Sequence, residues 1–146
     1  MSRGWIAVGT VPRRVPLTAA VVVLGVLCAC SNQQSPVNRR PRTGSATASA
    51  VNGQQQITVE AGDDYRFHPA TLTVHPGKIE VILKHTGTGA PHNWQLTQFP
   101  ADFVPLAAAG QTETATFTAP SPGSYQFVCT IHQKQGQRGT LVVLPR

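Results

Sequence analysis

The chain has 146 residues, a formal net charge of +6 and three cysteines, so it has room for one ordinary domain. Of its twelve basic residues, six precede residue 56, in a region without any acidic residue, and the other six are matched by six acids. The part from residue 56 onward is therefore nearly neutral. This distribution argues against a nucleic-acid partner, which would require a basic surface on the folded domain.

The N-terminus, residues 1–29, has the three zones of an export signal. Basic residues come first, an apolar stretch runs from Val15 to Ala29, and small residues close the segment. A stretch of fifteen residues is too short to cross a bilayer, which takes about 20, but it suits the core of a signal peptide. We therefore predict that the protein is exported.

The segment Leu27-Cys28-Ala29-Cys30 resembles a bacterial lipobox, in which cleavage before the cysteine leaves a thioether-linked lipid on it. Cys30 is the better acceptor, because lipidation of Cys28 would put Leu27 at a position where the motif requires a small residue. We predict that a lipid on Cys30 anchors the protein to the outer face of the cell membrane or holds it in the periplasm. The alternative is an uncleaved or plainly secreted signal with incidental cysteines.

Cys129 is then the only thiol of the mature protein, because Cys28 leaves with the signal and Cys30 carries the lipid. No internal disulfide is possible in such a protein. A lone thiol in an oxidising compartment is open to oxidation unless something occupies it, and a bound soft metal would do so.

Residues 30–55 are predicted to be a flexible linker behind the lipidated cysteine. After Cys30 they are mainly Ser, Thr, Asn, Gln, Pro, Arg and Gly with scattered Ala, and they show neither helical nor strand periodicity. Such a segment buries too little apolar surface to offset the entropy lost on ordering. The folded domain is accordingly predicted to span residues 56–146.

Within 56–146, short β-rich runs alternate with Pro and Gly, the pattern of a sandwich or barrel. The predicted strands are Ile57–Ala61, Thr71–Val74, Lys78–His85, His92–Leu96, Thr112–Thr118, Ser124–Thr130 and Gly139–Leu144. Seven short strands in about 90 residues indicate an all-β fold, a two-sheet antiparallel β-sandwich. Residues 99–110 fit either one short helix or an irregular loop.

Two segments carry residues of metal chemistry. Cys129 follows a strongly apolar strand, and His132 three residues later can reach the same metal across a short loop. His92 opens another predicted strand about 37 residues upstream and offers a second imidazole. Two histidines and one cysteine are the trigonal ligand set of blue copper, which a weak axial ligand usually completes.

The sequence resembles the cupredoxins, the family of plastocyanin and azurin, over most of residues 56–146. The matching motifs are Phe67–Val74 followed by Pro76-Gly77, the pair His92-Asn93, the segment Gly123–Cys129, and Gly139–Val143. The resemblance implies a Greek-key sandwich of about seven strands that binds one mononuclear type 1 copper ion. The implied ligands are His92, Cys129 and His132.

In the family the axial ligand is a Met five residues after the second histidine, and this chain has Gln137 there. A glutamine at this place resembles the axial amide of the stellacyanin group. Because an amide oxygen is harder than a thioether and favours Cu(II), the resemblance implies a lower reduction potential than that of a Met-ligated relative. The alternative is that Gln137 points to solvent and leaves three ligands.

The family also ties the two ligand loops together through the Asn that follows the first histidine, and Asn93 with Thr130 match those places. The alternative is an ordinary loop amide. Where many relatives have Asn a few residues before the first ligand, this chain has His85 or Thr86. The packing under the site is therefore left open at the level of sequence.

Several residues have plainer interpretations than a functional role. We expect surface or hydrogen-bonding positions for His68, His75 and His85, and core positions for Trp94, Phe117, Tyr125 and Phe127. An apolar set comprising Phe99, Phe103, Val104 and Pro105 fits either a partner-docking rim or a cover for the sandwich end.

The leading functional hypothesis is single-electron transfer through copper by a monomeric, membrane-anchored carrier, with a redox protein of unknown identity as partner. His132 is the expected exit, because relatives expose the edge of this histidine. The chain has no His-x-His pair and no Cys-x3-Cys motif, the ligands of multi-copper enzymes among relatives, so we predict that it is not an enzyme. The alternative is a copper carrier, store or resistance factor without electron transfer.

Overall fold

The computed structural model describes residues 42–146, which form eleven β-strands and one short 3-10 helix. The strands are β1 Ser45–Thr47, β2 Ser49–Val51, β3 Gln54–Ala61, β4 Phe67–His68, β5 Thr71–Val74, β6 Lys78–His85, β7 His92–Leu96, β8 Phe103–Ala107, β9 Thr112–Thr118, β10 Gly123–Val128 and β11 Arg138–Val143. The 3-10 helix spans Gln133–Gln135. The predicted export signal and lipidation site, including Cys28 and Cys30, lie outside the described residues.

Alternating side chains explain why these segments form half-buried strands. In β6, Ile79, Val81 and Leu83 are fully buried, whereas Lys78 and Lys84 at every second position face outward. A period of two puts apolar side chains on one face of a strand, and that face can be covered by a second sheet. The same alternation in β11 buries Leu141 and Val143.

Two sheets pack face to face. The first has the strand order β1-β5-β11-β10-β7-β8, and the second has the order β2-β3-β6-β9 with β4 paired to β3. Aromatic rings from both sheets fill the space between them: Trp94 lies 5.1 Å from Phe127 and 5.6 Å from Phe117, measured between ring centroids. These contacts confirm Trp94 and Phe127 as core residues; Phe117 and Tyr125 pack against the core while remaining partly exposed.

Gly139 in β11 permits the closest approach in this core. A Cβ atom at residue 139 would overlap both the Phe127 ring and the Ala70 carbonyl oxygen, which accepts a hydrogen bond of 2.8 Å from the Thr140 backbone. Only a residue without a side chain fits between the neighbouring strand and the ring. The closing Gly139–Val143 motif therefore has a packing reason.

The predicted sandwich is confirmed, and four of its seven predicted strands, β5, β6, β7 and β9, have the predicted bounds. The sandwich is not antiparallel throughout, because β3 pairs with β6, β5 with β11, and β1 with β5 in parallel. Parallel neighbours that lie far apart in sequence are invisible to a pattern read along one strand.

Two further segments differ from the prediction. The predicted linker, residues 30–55, includes β1, β2 and the first residues of β3. A polar segment can form such strands at the edge of a sheet, because the pairing uses backbone hydrogen bonds and requires little burial of apolar surface. The stretch 99–110 contains β8 rather than a helix. Its pairing partner β7 supplies the hydrogen bonds and buries Val104 and Ala107.

Within residues 42–146, no helix is long and apolar enough to cross a membrane.

Candidate metal centre

The pairing of β7 with β10 brings the two predicted ligand segments together. The strands run antiparallel, with Leu96 opposite Phe127 and Gln95 opposite Val128. The first residue of β7, His92, consequently lies at the same end of the sheet as Cys129, which directly follows β10. The loop from Cys129 then carries His132 back over this end.

The three predicted ligands meet in a buried cluster. One donor atom from each of His92, Cys129 and His132 lies within 4.8 Å of the other two. The two Nδ1 atoms are 3.1 Å apart, and the Cys129 sulfur is 3.4 Å from His132 Nδ1. His92 and Cys129 are fully buried and His132 is 6% exposed. A soft sulfur and two imidazole nitrogens converging in a dry site suit copper.

Backbone hydrogen bonds shape the loop between Cys129 and β11. The carbonyl of Cys129 accepts from the N–H of His132 at 3.2 Å, and the carbonyl of His132 accepts from the N–H of Gln137 at 3.2 Å. The N–H of Cys129 donates to the carbonyl of Gln137 at 3.1 Å. These bonds close the loop on itself, so His132 and Gln137 are held beside the cysteine independently of any metal.

Gln137 points into the cluster and is fully buried, so the alternative of a solvent-facing side chain is wrong. Its Oε1 lies 2.8 Å from His92 Nδ1, and its Nε2 donates to the carbonyl oxygen of Arg66 at 3.4 Å. The same His92 Nδ1 atom lies 3.1 Å from His132 Nδ1, so the contact with Gln137 is made inside the cluster of donor atoms. The amide oxygen therefore faces the ligand atoms, and the amide nitrogen faces away from them.

The contact predicted between Asn93 and Thr130 is present. Asn93 Nδ2 donates to Thr130 Oγ1 at 2.9 Å, and the backbone N–H of Thr130 donates to Asn93 Oδ1 at 2.8 Å. One residue follows His92 and the other follows Cys129. The two bonds therefore lock the positions of both ligand segments relative to each other.

Burial favours the neutral, metal-binding form of both imidazoles. Desolvation lowers the pKa of His92, and the Gln137 contact opposes this shift. Desolvation likewise lowers the pKa of His132, again opposed by Gln137. Since only the neutral imidazole can donate a lone pair to a metal, the site is prepared for binding near neutral pH.

The remaining histidines divide between surface and interior. His68 is half exposed and contacts Asp64 at 2.8 Å, and His75 is exposed, as predicted. The expectation for His85 is wrong, because its ring is buried at 1% exposure and neither ring nitrogen has a hydrogen-bond partner among the described residues. Its ring packs edge-on against His92, with centroids 4.8 Å apart. In this chain, His85 supplies the packing under the first ligand.

The turn at residues 62–66, which was not among the predicted site residues, forms another wall of the site. The ring of Tyr65 lies 4.7 Å from the His132 ring, and the Arg66 carbonyl contacts Gln137. The predicted exposed edge of His132 is reduced to 6% exposure. No motif marks Tyr65 and Arg66 in the sequence, because their role arises from a contact across more than sixty residues.

Asp63 joins this turn to the loop that leads into His92. Its carboxylate accepts from the backbone N–H of Thr88 at 3.1 Å, the Thr88 hydroxyl at 3.3 Å and the N–H of Gly89 at 2.9 Å. A Cβ atom at residue 87 or 89 would collide with the carboxylate, so the glycines leave room for it. The backbone hydrogen bonds, that of Thr88 foremost, hold the pKa of Asp63 below its ordinary value of 3.8.

We predict that Asp63→Asn lowers the free energy of unfolding at neutral pH and that its difference from wild type narrows in acid. Because the folded pKa is lower than the unfolded one, the carboxylate stabilises the fold above about pH 4 and loses this effect as pH falls through the folded pKa. Denaturant unfolding at a series of pH values measures the difference.

Asp102→Asn is the control for this experiment, because burial raises the pKa of Asp102. The ionised Asp102 carboxylate therefore destabilises the fold, and its replacement by Asn is expected to raise the free energy of unfolding at neutral pH and to lose this effect in acid. If the free energies of unfolding of wild type and Asp63→Asn differed by the same amount from neutral pH to about pH 3, the stabilising role of the Asp63 carboxylate would be contradicted.

Comparison with known proteins agrees with this geometry. The family profile for a cupredoxin-like domain matches residues 19–143. The chain is 26% identical over 148 residues to the chloroplastic plastocyanin of Physcomitrium patens, an alignment that covers 90% of this chain and 85% of that protein. It is 33% identical over 110 residues to plastocyanin of Nostoc punctiforme, covering 66% and 77% of the two chains.

Among solved structures, auracyanin A, a "blue" copper protein of Chloroflexus aurantiacus, is similar with a TM-score of 0.55 and 27% identity over 62% of this chain and 99% of that one. The buried set of His92, Cys129 and His132 is that of a type 1 copper centre. By its family match, its fold and this ligand set, the chain belongs to the cupredoxin family.

Proposed function

We propose that the protein carries single electrons between redox partners through one type 1 copper ion held by His92, Cys129 and His132. The observation that carries this proposal is the convergence of three soft or borderline donors, within 4.8 Å of one another, in a buried site. Bound copper would supply the one-electron exchange between Cu(I) and Cu(II). The similarity to plastocyanins and to an auracyanin supports carriage of electrons rather than catalysis.

The protein's own contribution is to hold the ligand side chains in place before and after the charge changes. The Asn93–Thr130 hydrogen bonds and the closed loop between Cys129 and Gln137 restrain the donors without a metal. A site that changes little between two charge states exchanges electrons with little rearrangement. Burial also excludes water, which would otherwise compete for a position on the metal.

Gln137 is proposed as the fourth, axial ligand through its Oε1 atom. Its oxygen lies 2.8 Å from His92 Nδ1, the nitrogen nearest the other proposed donors, and the contact from its amide nitrogen to the Arg66 carbonyl supports this orientation. A hard amide oxygen favours Cu(II) and lowers the reduction potential relative to a thioether.

We further propose that a lipid on Cys30 anchors the domain at the outer face of the cell membrane or in the periplasm. Thr43 and Gly44 already accept backbone hydrogen bonds from Ala70 and Thr71, so residues 31–42 separate the lipid from the domain. Fully extended, twelve residues would reach roughly 40 Å. The domain, expected to be a monomer, would then stay close to membrane-bound redox proteins.

The copper-loaded protein is predicted to show an intense thiolate-to-copper absorption near ~600 nm. Cys129→Ser should abolish this band because it removes the sulfur ligand, whereas Cys28→Ser should retain it. An electron carrier should keep its copper when it is reduced in the presence of a Cu(I) chelator. Its absorption band should therefore disappear on reduction and return on reoxidation through repeated cycles. Irreversible transfer of copper to the chelator at the first reduction would instead indicate a copper carrier.

Replacing Gln137 by Met is predicted to raise the reduction potential of the copper-loaded protein, because a thioether stabilises Cu(I) better than an amide oxygen does. Spectroelectrochemical titration measures the change. Gln133→Met is the matched control, since it makes the same substitution at an exposed position of the same loop. An unchanged or lower potential in Gln137→Met would rule out the axial role.

Cys30→Ala is predicted to abolish incorporation of labelled palmitate and to shift the expressed full-length protein from the membrane to the soluble fraction. A thioether-linked lipid requires the sulfur of the acceptor cysteine, so Cys28→Ala should keep both label and membrane location. If the palmitate label survived in Cys30→Ala but disappeared in Cys28→Ala, the lipidated residue would be Cys28 rather than Cys30.

A further inference from the structure

Tyr65 has a backbone conformation that its side chain disfavours. Its φ angle is 53°, and among the described residues only Asn52 is another non-glycine residue with positive φ. Left-handed backbone brings Cβ close to the following carbonyl, and for a bulky residue it persists only where surrounding contacts enforce it. Such enforced residues are concentrated at functional sites.

Three contacts enforce the conformation of Tyr65. Its backbone N–H donates to the Gly62 carbonyl at 3.0 Å, and its own carbonyl accepts from Arg66 Nη1 at 3.0 Å. The same Nη1 donates at 3.1 Å to the carbonyl of Gln135, which belongs to the loop between Cys129 and β11. Arg66 is 3% exposed, so its guanidinium is a buried bridge between the turn and that loop.

The third contact is the aromatic ring, which lies on His132. The two ring centroids are 4.7 Å apart at an angle of 52°, and the His92 ring is 6.2 Å away in an edge arrangement. Tyr65 is partly exposed, whereas His132 is only 6% exposed. The phenol ring is therefore the outer layer of the site and His132 the inner layer.

We propose that Tyr65 is a positioning residue of the metal centre, a cover that Arg66 holds over His132 to limit access of water and small anions. The part of this proposal that concerns metal rests on the proposed copper function, and the part that concerns His132 does not. A covered imidazole keeps exogenous ligands away from the metal, as an electron carrier requires.

The first test measures access to His132 in the metal-free full-length chain. Diethylpyrocarbonate modifies accessible neutral imidazoles, and peptide mass spectrometry reports the rate at each histidine. Tyr65→Gly removes the ring without introducing backbone strain, since glycine readily adopts positive φ. We expect several-fold faster modification of His132 in Tyr65→Gly and a wild-type rate in Tyr65→Phe, which restores the ring.

Two controls keep this test decisive. Half-exposed His68 is an internal standard whose rate should stay constant, and Phe103→Ala removes an exposed ring from β8 without affecting His132. Tyr65→Asn is a second ring-free variant that tolerates the left-handed backbone, should Tyr65→Gly fold poorly by circular dichroism. If His132 were modified at the wild-type rate in a folded variant without the Tyr65 ring, the proposed cover over His132 would be overturned.

The second test uses the copper-loaded protein and azide as the small anion. We expect azide to perturb the visible spectrum of Tyr65→Gly at a concentration at least tenfold lower than that needed for wild type or Tyr65→Phe. Equal azide sensitivity in all three proteins would refute restricted access to the metal. Absence of the ~600 nm band from copper-loaded wild type would instead refute the copper function. The rates of His132 modification in the metal-free chain would still show whether Tyr65 covers His132.

Discussion

The site depends on one constraint, the antiparallel pairing of β7 with β10. This register places the first residue of one strand beside the residue that follows the other, so His92 and Cys129 face each other at the end of the sheet. Burial of Trp94 and Phe127 in these strands anchors the pairing in the core. If either strand slipped by one residue, its side chains would turn to the other face of the sheet and the two donors would separate.

Burying polar donors in this place is costly unless they have partners, and the metal-free site provides most of them internally. Gln137 Oε1 contacts His92 Nδ1 and Gln137 Nε2 donates to the Arg66 carbonyl, while Asn93 and Thr130 satisfy each other. The network positions the donors, while burial itself lowers the pKa of His92 and of His132 and so favours the neutral imidazoles. Preorganisation and metal affinity thus have a common origin in burial with compensating hydrogen bonds.

The turn at residues 62–66 connects the two ligand loops from outside the sheet. Asp63 binds the backbone of the loop before His92, and Arg66 binds the carbonyl of Gln135 in the loop that follows Cys129. Tyr65 lies between these anchors with its ring on His132. The metal site is accordingly built from three loops, of which only two carry recognisable ligands.

The sequence by itself determined what local periodicity and residue chemistry encode. Alternation in Lys78–His85 located β6, and the Cys129-x-x-His132 spacing with His92-Asn93 identified the metal donors. Only the tertiary structure decided the parallel pairs, the strands at residues 45–51, the buried packing of His85 and the cover formed by Tyr65. These features arise from backbone pairing and ring contacts between segments distant in the chain, and no local pattern of side chains records which distant segment will be adjacent.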